Sequence, residues 1–437
     1  MKKLVFQITK VVLIFTPFIT HSQIFNSNGA TISVTAGGVL HCNGGITLSN
    51  NSNLINEGSV RTTKNASNIL AGTFTNASAS TSNGSGEYFI EQDWINDANF
   101  IADNSSVYLY GNSEQIITST NGTVTEFNNL ICQGNGTGID RKKSLQNVDM
   151  RISSTGTLQL NNRELALETN NTFVLNPLNN AISNDQSFGN EGFISSLPPG
   201  FVIWSSNSIN PYFFPVGSSD GVLRYRPVLI ETKSADPNSY SVRFNNVPGD
   251  SHGFTLSQHD SEIETLNDLF YHSIEQELGV YNADVSISYL PSNDGDWSSI
   301  AQWDFGQSLW APIAPTENSA VGNYSAIKKA NWDFTNPAHP YVLVNLEDGL
   351  NIPNVFTPNQ DGANDVYLVS GKGITEYNIV IVNRWGNVVF ESNDINTPWD
   401  GTSNGTPCQD GVYFYIIKAK SLTQEYDKHG HITLTSN

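Results

Sequence analysis

Four groups of residues in the sequence have types and spacings able to do chemistry. The first is NVFTPNQDGANDVYLVSG, residues 354–371, where an apolar run breaks into Asn359, Asp361, Asn364 and Asp365 around Gly362. Oxygen ligands gathered in a tight loop are what a calcium ion requires. The register is not that of an EF-hand. With Asp361-Gly362 at the fifth and sixth loop positions, Thr357 stands where an acid is needed and Leu368 where the closing glutamate belongs. The same four side chains also suit Asx turns closed on nearby backbone amides, so a structural calcium and a self-closed turn are both open readings.

The second group is Asn293-Asp294-Gly295-Asp296, just before Trp297. Two carboxylates this close suit general acid–base or metal chemistry, but Asp-Gly is also an ordinary turn and no partner histidine accompanies it. The third is Trp297, Trp303, Trp310 and Trp332, which lie within 36 residues and read either as a sugar-stacking platform or as core filling. The fourth is His429-x-His431, which a strand would turn to one face, where a divalent ion bridges them or water solvates them. No GxSxG, HExxH, Walker or GxGxxG sequence occurs, so no catalytic residue is assigned.

These residues must be positioned by strands. From Gln23 to about Asn190 the chain is rich in Asn, Ser, Thr and Gly, and its apolar residues come in short alternating runs such as Thr31-Ile32-Ser33-Val34 and Val107-Tyr108-Leu109-Tyr110. Period-two runs broken by residues that tolerate left-handed backbone angles leave little room for helices. The recurrent shape in GGVLHCNGGITLSNNSNLINEGSV is glycine, short strand, asparagine turn. It predicts a right-handed parallel β-solenoid over 23–190, with asparagine ladders at its corners, and an antiparallel sandwich is the alternative. Near residue 190 aromatics and prolines rise, and longer strands such as YRPVLIETK and ADVSISYL predict a β-sandwich module over 191–348. Only SEIETLNDLFYHSIEQEL has a helical cast, and its Phe270-Tyr271 pair equally suits the start of a strand.

Composition narrows the function. Lys2, Lys3 and Lys10 precede the run VVLIFTPFI, which is followed by Thr20-His21-Ser22; the run is shorter than the roughly 20 residues of a spanning helix, so residues 1–22 are expected to be a secretory signal peptide cleaved after Ser22. The leader carries three lysines and no acid, and its loss leaves a formal charge of -23. Such a chain repels phosphate backbones, so nucleic acid is not an expected partner. No later run reaches spanning length, and Cys42, Cys132 and Cys408 are too few for a disulfide framework.

The tail offers the strands NIPNVF, VYLV, YNIVIVN, VVFES, VYFYIIKAK and HITLT, with a hairpin turn at Arg384-Trp385-Gly386-Asn387 and Asp410-Gly411 before the strongest strand. Six or seven short strands in under about 90 residues predict a small immunoglobulin-like β-sandwich. The ordered set N-V-F-T-P-N-x-D-G-x-N-D, Y-N-I-x-I-x-N-R-W-G, W-D-G-T, C-x-x-G-V-Y-F-Y and G-x-I-T-L resembles the gliding motility-associated C-terminal domain. That is the type B sorting domain of the type IX secretion system of Bacteroidetes. The resemblance falls on Phe356, Thr357, Pro358, Asn359, Asp361, Gly362, Asn364, Asp365, Asn383, Arg384, Trp385, Gly386, Trp399, Asp400, Gly401, Cys408, Gly411, Tyr413, Phe414, Tyr415, Gly430 and Leu434. It departs at Gln360, where the family usually has glycine. The resemblance implies that residues 349–437 are an address recognised by the outer-membrane type IX machinery, and it implies no chemistry.

Segments such as G-E-Y-F-I-E-Q-D-W-I-N and V-Y-L-Y-G-N-S-E-Q-I-I resemble the repetitive β-rich ectodomains that precede such signals, several of which are surface adhesins. The expectation is therefore an all-β, exported, non-enzymatic adhesin-like or structural protein, secreted or held at the outer cell surface. It would touch glycan, matrix or other surface ligands and need no cofactor beyond a structural calcium. The alternative is a secreted hydrolase or glycan-processing enzyme with its site in 23–348.

Overall fold

The computed structural model describes residues 24–64, 72–313, 315–334, 339–347, 349–421 and 425–436, together with the backbone of Phe6–Gln7. The expected cleavage site and the apolar core of the leader lie outside the described residues. The chain is all-β, as its alternation predicts: helix among the described residues is limited to the single turn Pro291–Asp294 and two 3-10 turns, Gly138–Arg141 and Gly249–His252. Among the described residues no helix is long and apolar enough to cross a membrane. The chain divides into two compact units, one of residues 1–251, 269–294 and 319–341, the other of residues 252–268, 295–318 and 342–437.

In the first unit the chain visits parallel sheets in turn. Phe25–Asn28, Thr31–Val34 and Val39–Asn43 lie in three separate sheets, and the next three strands, Ile46–Ser49, Asn53–Asn56 and Ser59–Thr63, pair parallel with them in the same order. One sheet ends at Asn99–Phe100, whereas the other two run on to Phe193–Ser195 and Val202–Ser206. Parallel pairing thus continues beyond residue 190. Each strand is too short to bury its own apolar side, so the inward residues stack on those of the next turn. Phe74 lies in register with Trp94, their rings stacked 4.6 Å apart, and both are fully buried.

Asparagines bond from one strand to the next inside this unit. Asn76 Nδ2 donates to Asn96 Oδ1 at 2.9 Å, and Asn96 Nδ2 donates to Thr125 Oγ1 at 3.0 Å, all three residues being buried. A buried amide must find partners, and a neighbour one turn away supplies them.

Past Val202–Ser206 the pairing becomes antiparallel. That strand pairs with Asn238–Asn245, which pairs with Tyr271–Leu278, and a second antiparallel sheet orders Pro211–Phe214, Val228–Thr232, Ala283–Tyr289 and Tyr324–Trp332. The segment with the helical cast is therefore two strands, Ile263–Leu266 and Tyr271–Leu278. The first four residues of the latter are buried one after another, and a strand covered on both faces loses the alternation that would have declared it.

In the second unit, Ser299–Asp304 and Leu309–Pro312 form a hairpin, and Ile263–Leu266 pairs with residues 344–346. The tail builds a five-stranded sheet in the order Val355–Phe356, Glu425–Leu434, Gly411–Ser421, Ile374–Val382, Val388–Ser392. The expected strand VYLV is reduced to a single bridge between Tyr367 and Trp399, although Tyr367 and Val369 are buried. Burial there comes from side chains dropping onto the sheet and not from a ladder.

Candidate functional site

The residues of the tail pattern fall into three groups in space. Phe356, Trp399, Tyr413 and Leu434 belong to one buried cluster with Tyr367, Ile379, Ile381, Ile417 and Ile432 on one face of the sheet. Trp399 is wholly buried, with the Phe356 ring and the Tyr413 ring each 5.1 Å from its own, and its indole N–H donates to the Thr402 carbonyl at 2.8 Å. Asp400 Oδ1 accepts the Thr402 N–H at 2.9 Å, and the Cys408 N–H donates to the Gly401 carbonyl at 2.9 Å. Gly401 has φ +80°, and a Cβ there would meet Pro358 Cγ at 3.2 Å. Gly430 lets the Tyr415 ring cross its backbone, since a Cβ would lie 2.5 Å from the Tyr415 hydroxyl. Gly411 starts the longest strand, and Tyr413 anchors its first turn by donating to the Gln409 carbonyl at 2.8 Å.

The second group is the loop after Phe356. Asp365 accepts the N–H of Gln360 on one carboxylate oxygen at 2.6 Å and that of Gly362 on the other at 2.8 Å. Asp361 Oδ1 accepts the Ala363 N–H at 2.8 Å, and Asn359 Oδ1 accepts the Asp361 N–H at 3.1 Å. Thr357 donates its N–H to the Asn364 carbonyl at 2.8 Å and its hydroxyl to the Ala363 carbonyl at 3.3 Å. Side-chain oxygens of Asn359, Asp361 and Asp365, three of the four residues offered as calcium ligands, are thus turned onto backbone amides of their own loop, the arrangement of nested Asx turns. Gln360, at the position of departure from glycine, has φ +63°, and Asn364 has φ +54°.

The third group is the hairpin turn. Asn383 Oδ1 accepts the N–H groups of Trp385 and Asn387 at 3.0 and 3.1 Å, and strands Ile374–Val382 and Val388–Ser392 run antiparallel from it. Gly386 donates to the Asn383 carbonyl at 2.9 Å with φ +80°. Arg384 and Trp385 face water, the Trp385 side chain 80% exposed with the guanidinium 5.9 Å from its ring centroid. A cleft of about 640 Å³ opens beside them, lined among others by Val388, Asp410, Val412 and Phe414.

Of the remaining candidates, Asp294 and three tryptophans are built into the interior. Asp294 is buried, and its carboxylate takes the Arg226 Nε and Nη2 groups at 2.5 and 2.8 Å and the Leu290 N–H at 2.7 Å. A carboxylate saturated in this way holds a loop and is poorly placed to move a proton. Asp296 is exposed. Trp303, Trp310 and Trp332 are buried, Trp303 and Trp310 edge to face at 5.5 Å and Trp332 against Tyr341 at 4.4 Å, so these three present no stacking platform, while Trp297 is half-buried. His429 and His431 share one exposed face opposite Ile416 and Phe414. The three cysteines are free thiols, and burial pushes Cys42 up to about 11 and Cys132 up to about 12, so neither is a ready nucleophile.

Sequence reasoning missed His272. It is wholly buried, its Nε2–H donates to the Arg226 carbonyl at 3.0 Å, and desolvation lowers its pKa to about 4. Its partner lies 46 residues away, and no local pattern announces such a pairing.

Neither the curated proteins nor the solved structures contain a match to the chain. Residues 350–434 match the family model of the CHU_C Type IX secretion signal domain; the clustered aromatics, the Asx loop and the Asn383 hairpin are therefore the body of a secretion signal that directs the protein to the outside of the cell or its outer surface.

Proposed function

We propose that the protein is a non-enzymatic surface or secreted protein that works by contact, adhesin-like or structural, and that its signal domain is read by the type IX machinery as a folded object. In this reading residues 1–22 take the chain across the inner membrane as a cleaved signal peptide. The coil of residues 24–206 is a β-solenoid stalk, and the antiparallel sheets that follow are a sandwich module. The observation that carries the reading is the match of residues 350–434 to a secretion signal. Contact as the mode of action is supported by how the reactive-looking groups are used: Asp294 neutralises a buried arginine, and Trp303, Trp310 and Trp332 fill interiors. The stalk's partners are glycan, matrix or other surface ligands. The 359–365 loop is closed by its own amides, with calcium at most a surface counter-ion to Asp361 and Asp365.

Two measurements test this. The full chain and a form lacking residues 349–437 are compared in a host with a type IX system, and arrival of the truncated form outside the cell at the full-chain level refutes the sorting role. The mature chain is then applied to a glycan array with and without calcium and assayed for release of reducing sugar; turnover refutes the contact reading.

A further inference from the structure

The signal sheet has one face occupied by its core and another that faces water, and the two differ less than they should. Along Gly411–Ser421, Tyr413, Ile417 and Ala419 turn into the core, whereas Val412, Phe414 and Ile416 turn outward with 46–47% of their surface exposed. A strand with one solvated face normally alternates apolar with polar residues. Here the alternation starts only at Lys418 and Lys420, which lie opposite Asp427 and Glu425. On one side the neighbouring strands extend the apolar half: Val382 lies beside Phe414 and Val388 beside Val382, while Val380 lies beside Ile416. On the other side Thr433, His431 and His429 lie beside Val412, Phe414 and Ile416 and bound the patch with polar groups. Trp385 stands at the tip of the adjoining turn.

The tail pattern sharpens this. Phe356, Trp399, Gly401, Tyr413 and Leu434 are explained by the core, and Asn383 and Gly386 by the turn. Trp385 and Phe414 have no such packing role; both are exposed and, with Arg384, Val388 and Val412, line the same cleft of about 640 Å³. The sheet also ends on Val388–Ser392, whose outer edge pairs with no other strand among the described residues. An unpaired edge presents amide and carbonyl groups that an extended polypeptide satisfies and a lipid chain does not.

Resting on the sorting reading above, we propose that the outward face of Val412, Phe414 and Ile416, with Trp385 and the Val388–Ser392 edge, is the surface on which a protein of the secretion machinery docks through an apolar surface of its own. Aromatic anchors set in an apolar patch carry most of the energy of such contacts. The charged end of the same face, Lys418 and Lys420, lies outside the contact.

The test uses the full chain in a host with a working type IX system. Three variants are made: Trp385→Ala at the exposed turn, the pair Phe414→Thr and Ile416→Thr, which retains β-branched strand formers, and Lys418→Gln as control. The melting temperature of each purified chain reports folding. The proposal expects folded Trp385→Ala and Phe414→Thr/Ile416→Thr chains to accumulate in the periplasm, with the amount outside the cell reduced at least about tenfold, and the control exported normally. Normal export of both folded variants overturns it. Two further results do so as well: the wild-type chain dimerising through this patch in light scattering, with the variants monomeric and exported, or the chain binding phosphatidylethanolamine vesicles through the patch while export is unaffected. Retention of the wild-type chain itself would instead defeat the sorting reading on which the proposal stands.

Discussion

Gln360 is the sharpest place to challenge the description of the signal loop. It is an exposed glutamine with φ +63°, between Asn359 and Asp361, in a loop whose turns are set by Asp365. A non-glycine residue in the left-handed region costs roughly 1–2 kcal/mol. Glycine at that position removes the cost but returns roughly 0.5–1 kcal/mol through the greater entropy of the unfolded chain. Gln360→Gly is therefore expected to stabilise the second unit by about 0.5–1 kcal/mol, a rise of roughly 2–6 °C in its melting temperature. Gln360→Ala keeps the strained angle and should leave the transition nearly unmoved. Ala363→Gly, at a residue without a positive φ, should lower it. Differential scanning calorimetry of the full chain resolves these signs. A fall in melting temperature for Gln360→Gly, or a rise for Ala363→Gly, would refute the argument that backbone conformation governs this position.

Asp294→Asn should destabilise the first unit by about 3–5 kcal/mol in urea titration, because it strands the buried Arg226 guanidinium; replacing both partners by apolar residues should recover most of the loss. Asn96→Ala removes both of its ladder bonds and should cost about 1–3 kcal/mol in the same assay. Acid should weaken the first unit through His272. Its folded pKa of about 4 lies below the unfolded value of 6.5, so its neutral form is preferred on folding. The unit is unaffected by this group above about pH 6.5 and loses stability as pH falls from there to about pH 4, by up to about 3 kcal/mol. Parallel titrations of wild type and His272→Gln should show that the extra acid sensitivity disappears in the variant.

What the sequence revealed follows from how local each determinant is. The hairpin at residues 383–387 was legible because asparagine and glycine act within four residues, and the long strand after Gly411 because a turn-forming Asp410-Gly411 precedes an unbroken run of aromatic and β-branched residues. The short strands were legible from period-two runs between asparagine turns, but their pairing was not: Val202–Ser206 pairs parallel with Thr172–Val174 in a segment whose aromatics and prolines suggest a change of architecture. VYLV read as a strand because it is apolar and β-prone; Tyr367 and Val369 are indeed buried while Val366 and Leu368 are exposed, yet burial and ladder are separate requirements. Tyr271–Leu278 read ambiguously because double-sided burial erases periodicity. The acidic pair at Asp294 and the tryptophans looked like chemistry because sequence shows residue types without partners. Arg226 lies 68 positions from Asp294, and only the fold brings them together.

Localisation of the full-length chain in a host with an intact type IX system, and in the same host with that system disabled, bears most directly on the central claim. The account expects folded protein outside the cell or on its surface in the first host and folded protein confined to the periplasm in the second. Equal appearance outside the cell in both hosts would contradict it.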